Sequence, residues 1–108
     1  MTLKELHVAL KALGYPTALT QFKKPQSPPY IVYILTDPEN FSGDNMVYHS
    51  TPTVQVEVYT KDLTGTGQAV VDAVKNVLKD IYYTTEHGYI SEEKLYMTVF
   101  RFSIEEGD

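Results

Sequence analysis

Two stretches of this chain are apolar on both of their alternating faces. In Tyr30-Ile31-Val32-Tyr33-Ile34-Leu35 every residue is β-branched, aromatic or aliphatic. Near the end of the chain, Leu95, Met97 and Val99 alternate with Tyr96, Phe100 and Phe102. Successive side chains of a strand point to opposite faces, so runs of this kind predict strands covered on both sides. The fold must therefore supply two covers for one sheet, and the helices decide whether it can.

The sequence offers two helices. Thr2-Leu3-Lys4-Glu5 reads as a capping box, with the Thr2 hydroxyl facing the Glu5 amide and the Glu5 carboxylate reaching back. Leu3, Leu6, Leu10 and Leu13 follow at spacings of three and four, and Gly14 and Pro16 stop the pattern. The spacing predicts a helix over 3–13. Val70, Val71, Val74, Val77, Leu78 and Ile81 form a second stripe, with Lys75 and Lys79 near its end as the helix dipole favours.

Strands fill the remainder. Residues 18–22 read as a short strand, and 46–50 as a brief pairing. Val54, Val56 and Val58 alternate with Gln55, Glu57 and Tyr59, giving one dry and one wetter face. Residues 82–90 and 95–104 read as a final pair around Ser91-Glu92-Glu93-Lys94. The expected fold class is α+β: one domain spanning 1–108, a mostly antiparallel sheet with two amphipathic helices on one face. A Pro-rich arm near 23–29, a turn-rich loop near 36–46 and a frayed acidic end at 105–108 complete it. Two helices cover one face, so the second is left either to the loops and the arm or to neighbouring subunits.

Composition narrows the function. The net charge is −5, with one arginine, Arg101, and Lys23-Lys24 as the sole adjacent basic pair. A sequence-independent nucleic-acid binder needs a basic patch to displace phosphate counterions, so specific nucleic-acid binding is not expected. An acidic surface that lets DNA slide past without sticking is compatible with this charge. The absence of cysteine excludes disulfides, thiolate nucleophiles and cysteine zinc sites. No apolar stretch approaches the length of a membrane span, and the first residues lack the pattern of a signal peptide, so a cytoplasmic protein without membrane contact is expected.

The chemistry-bearing residues do not assemble into a reactive constellation. His7, His49 and His87 lack metal-ligand spacing; His7 reads as a half-buried packing residue on the first helix and His87 as a turn residue. His49-Ser50 are neighbours on an extended segment and would face apart. Gly65-Thr66-Gly67 sits between a strand and a helix, yet lacks the third glycine of a dinucleotide loop and the Lys-Ser/Thr of a P-loop; it reads as a flexible turn and helix cap. Glu92-Glu93 and Glu105-Glu106 read as solvated charge. No catalytic, cofactor-binding or metal-ligating residue is assigned, and no cofactor is expected. Nine tyrosines are the one excess, most of them in or near expected strands. Tyrosine suits half-buried sheet faces and is also enriched at protein interfaces.

Several segments, taken in order, resemble a known family. They are Lys23-Lys24-Pro25 with Pro28-Pro29-Tyr30-Ile31-Val32-Tyr33, Asp44-Asn45 with Val47-Tyr48, Val54-Gln55-Val56-Glu57-Val58-Tyr59-Thr60-Lys61-Asp62, and Tyr89-Ile90 with Glu92-Glu93-Lys94-Leu95-Tyr96. Their order and spacing resemble small tail-assembly proteins of long-tailed phages and prophages of Gram-positive bacteria, the tail terminator or head–tail joining family. The resemblance spans most of the chain, and the alanine- and valine-rich second helix departs from it. It implies a non-enzymatic protein that forms a ring, expected to have six subunits, capping the tail tube and meeting head connector proteins. The chain would act in the host cytoplasm during assembly and then at the virion head–tail junction, where DNA passes through the ring.

Candidate interface residues are the arm prolines Pro25, Pro28 and Pro29, the tyrosines Tyr30 and Tyr33, and Phe41, Asp44 and Asn45 of the loop. Two other roles fit the same residues: a connector that closes the filled head, and a small monomeric protein-binding or regulatory domain using its sheet edge.

Overall fold

The computed structural model describes residues 1–36 and 53–104. Within them the chain forms α1 (Leu3–Lys11), β1 (Thr17–Leu19), β2 (Tyr30–Thr36), β3 (Thr53–Thr60), α2 (Thr66–Val77), β4 (Thr84–Ile90) and β5 (Leu95–Ser103). The five strands make one sheet in the order β1-β2-β3-β5-β4. Every pairing is antiparallel except β1 with β2. This is the expected α+β class. The expected strand over 46–50, the loop near 36–46 beyond Thr36 and the acidic end lie outside the described residues.

The capping box forms as read. The Thr2 amide donates to Glu5 Oε1 at 2.8 Å, and the Glu5 amide donates to Thr2 Oγ1 at 3.2 Å. The Thr2 amide, and after it the Thr2 side chain, favour the Glu5 carboxylate over its acid and hold its pKa below the ordinary value. A lowered pKa contributes stability above the ordinary carboxylate range, which is lost as pH falls through the lowered value. Thr2→Ala is expected to cost about 1 kcal/mol in urea unfolding at neutral pH. The variant's stability should also fall less steeply than the parent's on acidification.

Helix α1 stops at Lys11, two residues before its expected end. Leu13 and Gly14 donate instead to Leu10 and Lys11 carbonyls three residues back, a tightening of the last turn. Gly14 then takes φ 90°, a left-handed conformation that glycine adopts freely. Strand β1 is shorter than the expected 18–22 and is displaced toward the amino end. Thr20 at φ 71° bends the chain out of the strand. Because β1 and β2 run parallel, residues 20–29 must return the chain to the end where β1 began. The Pro-rich arm makes that return.

Strand register decides which side chains share a face. Ile31, Val56, Val58 and Phe100 fall on one face, with Phe102 beside Val54. Against it pack Leu6 and Leu10 of α1 and Val70, Val71 and Val74 of α2, joined by Leu78. All of these are buried, so both helices lie on one side of the sheet. Val32, Glu57, Val99 and Glu86 lie in one row on the opposite face. Val32 and Val99 are buried there although neither helix lies over them.

Gly65 and Gly67 join β3 to α2. Gly65 has φ 54° and ψ −121°, a backbone conformation for which side chains are ill suited. Gly67 is buried with its Cα against the Asp62 carbonyl. The expected turn and cap is thus what these glycines form. The Asp62 carboxylate also lies against Gly67, so the loop offers a negative charge where a phosphate would need positive ones.

Candidate functional site

The open face of the sheet carries an aromatic groove of about 610 Å³. Its floor is built by register: Tyr30 of β2 stands directly opposite Tyr59 of β3. The two rings stack with centroids 4.8 Å apart and planes inclined by 19°. Phe22 of the arm meets Tyr30 edge-on at 5.6 Å. One wall is the arm, with Phe22, Lys23, Lys24 and Pro25; the opposite side brings Glu57 from β3 and Glu93 from the β4–β5 turn. The groove is therefore apolar at its floor, with ammonium groups on one wall and carboxylates across from them.

A run of polar side chains continues from the groove across three strands. Tyr59 Oη donates to Glu57 Oε1 at 2.7 Å, and Gln55 Nε2 donates to Glu57 Oε2 at 2.6 Å. Arg101 Nε donates to Gln55 Oε1 at 3.0 Å, and Arg101 Nη1 to Glu86 Oε1 at 2.9 Å. The outer ion pair is exposed and adds little stability by itself. What the run does is fix the Glu57 carboxylate at the edge of the groove with lone pairs to spare.

Burial and this carboxylate raise the pKa of both stacked tyrosines. For Tyr59 desolvation is the largest cause, followed by the hydrogen bond to Glu57. For Tyr30 desolvation again leads, with the charges of Glu93 and Glu57 behind it. A raised tyrosine pKa contributes stability below the ordinary value, lost as pH rises through the folded value. In an alkaline ultraviolet titration Tyr59 is expected to ionise after the exposed tyrosines. Tyr59→Phe should remove that late step and cost less than about 1 kcal/mol at neutral pH, because the remaining ring keeps its stack.

The sequence-selected residues separate on the structure. Tyr30 is half-buried at the groove floor, and Pro25 is exposed on its wall. Pro28 and Pro29 line a smaller recess of about 250 Å³ beside Thr60 and Gly67. Tyr33 is not on this surface: it is 2% exposed and packs in the core on the helix side. Its separation of three from Tyr30 along a strand places it on the opposite face. There its hydroxyl hydrogen-bonds His7 Nδ1. His7 is itself exposed rather than half-buried, tied to β2 by that bond. His87 lies within β4, not in a turn, with Nδ1 3.0 Å from Thr98 Oγ1. Phe41, Asp44 and Asn45 lie outside the described residues, as does His49.

Phe22, Glu57, Tyr59 and Glu93 were not singled out for the groove by sequence. Strand parity was the available signal for Tyr59, since Tyr59, Glu57 and Gln55 alternate on the wetter face of β3. Nothing local indicated Phe22 or Glu93, which arrive through the arm and the β4–β5 turn.

The fold and groove define a class: an α+β sheet with helices on one face and, among the described residues, an aromatic groove on the other. No protein-family model matches the chain, and no curated protein does. A chain in a solved virion of a native gene transfer agent particle is similar over 94% of this chain and 90% of that one, at 13% identity and a TM-score of 0.49. A likeness at that level assigns neither family nor role. Among the described residues no group of three His, Asp or Glu side chains is placed to hold a metal ion. No helix among them is long and apolar enough to cross a membrane.

Proposed function

We propose that this chain is a structural assembly protein of a phage-type particle, of the tail terminator or tail-completion type. It acts as a subunit of a ring, six in number, that caps the head-proximal end of the tail tube and presents a face to the head connector. The observation that carries this reading is the open sheet face, with its stacked Tyr30 and Tyr59 beside the arm. An apolar, aromatic face left uncovered among the described residues suits burial by another subunit. The order of the tail-assembly-like segments favours a tail role over a free-standing binding domain.

The test is complementation. Purified chain is added to an extract of the parent phage from which its gene is deleted. Infectious particles should appear once tails and filled heads are mixed with it. If the extract is rescued only when the chain is present during DNA packaging, the role is head closure. If particles form normally without the chain, the assembly reading fails.

A further inference from the structure

The most exposed large apolar side chain among the described residues is Tyr82, at 88%. It stands at the corner between α2 and β4, and its side chain makes no hydrogen bond or ring contact with another described residue. Lys79 and Asp80 are exposed beside it while Ile81 packs against the core, so the corner offers an ammonium, a carboxylate and an aromatic ring. An aromatic ring left almost wholly in water, flanked by both charges, is the composition of an interface anchor.

The groove presents the complement. It has an aromatic floor of Tyr30 and Tyr59, with Phe22 edge-on to Tyr30. It also has Lys23 and Lys24 on one wall and Glu57 and Glu93 across from them. None of these four charged groups is in an ion pair with another described residue. The two surfaces cannot meet within one molecule. Thr84, next to the corner, pairs with Arg101 at the far end of β5, whereas Ile90, at the groove, pairs with Leu95 at its start. The length of β4 separates them, roughly 20 Å.

We propose that the Lys79–Tyr82 corner of one copy docks in the open-face groove of the next. Tyr82 stacks against the Tyr30–Tyr59 pair, Asp80 faces Lys23 and Lys24, and Lys79 faces Glu57 and Glu93. Two different patches of one chain meeting in this way make a head-to-tail contact, which closes into a ring when the rotation permits. The inference deepens the ring reading above and rests on it for the identity of the partner as a second copy.

The absence of native cysteine makes the test direct. Tyr82→Cys and Gln26→Cys chains are purified separately, mixed and oxidised. A disulfide between the two variants is expected, and neither should cross-link with a Gln68→Cys control on the exposed side of α2. In sedimentation, Tyr82→Ala should weaken self-association about tenfold or more. Asp80→Lys should weaken it too, and pairing Asp80→Lys with Lys23→Glu and Lys24→Glu should restore it. Oligomers that form normally with Tyr82→Ala and without the specific cross-link would overturn this contact and leave the ring standing. A chain that neither cross-links nor associates at any concentration would overturn the contact, while complementation of the deletion extract would still report the assembly role separately.

Discussion

Replacing Gly67 with alanine is expected to destabilise the protein by about 3 kcal/mol or more. A Cβ built on Gly67 would stand 1.8 Å from the Asp62 carbonyl oxygen and 2.8 Å from its carbon. Backbone cannot yield as a long side chain can, so the first turn of α2 would have to move away from the end of β3. That turn positions Val70 and Val71 against the sheet, and both are buried. The clash therefore spreads from one methyl group into the core. Thermal unfolding should show a midpoint lowered by roughly 12 °C or more. Gly88→Ala is the matched control: a Cβ there meets nothing within 4 Å. Its effect should stay within about 1 kcal/mol. A Gly67→Ala midpoint within a degree or two of the parent would mean that the loop and helix are not packed as described.

The second large effect is expected at Phe100. It is fully buried among the largest core side chains, at the centre of the helix-facing side of β5. Its ring meets Tyr83 edge-on with centroids 5.4 Å apart. Val56 stands opposite it on β3 and Thr85 on β4. Phe100→Ala removes most of a phenyl ring from a site walled by strands on both sides, where the neighbours cannot collapse into the gap. The expected loss is about 3–5 kcal/mol in urea unfolding, with the slope unchanged. Val99→Ala, one residue away on the open face, should cost less, about 1–2 kcal/mol, since no helix packs over it. An equal loss at both positions would contradict the placement of the helices on one face.

Much of the fold was legible because it depends on period. The Leu6 and Leu10 stripe, the Val54-Val56-Val58 alternation and the double-faced runs at 30–35 and 95–102 each specify an element and its faces. The class follows from them, since two amphipathic helices and a run of strands leave few arrangements. What escaped depends on conformation at single residues or on long-range pairing. The end of α1 was misplaced by a tightening of the last turn, and the end of β1 by the positive φ of Thr20. The parallel pairing of β1 with β2 has no signature within either segment.

The candidate site was legible in part, and for the same reasons. Pro25 and Tyr30 were selected from the arm and the strand that follows it, and both lie at the groove. Tyr33 was selected beside Tyr30 by proximity in sequence, whereas a strand separates residues three apart onto opposite faces. The partner of Tyr30 is Tyr59, twenty-nine positions later, and only the β2–β3 register brings them together. A shortage of helices left the second face either to the loops and the arm or to neighbouring subunits. The arm occupies one corner of it and leaves the groove.

If this surface belongs to a subunit at the end of a tail, negative-stain imaging of lysates from the parent phage or prophage with the gene deleted will display it. DNA-filled heads beside unattached tails of irregular length are expected. Intact virions with tails of normal length, attached to their heads, would contradict that placement.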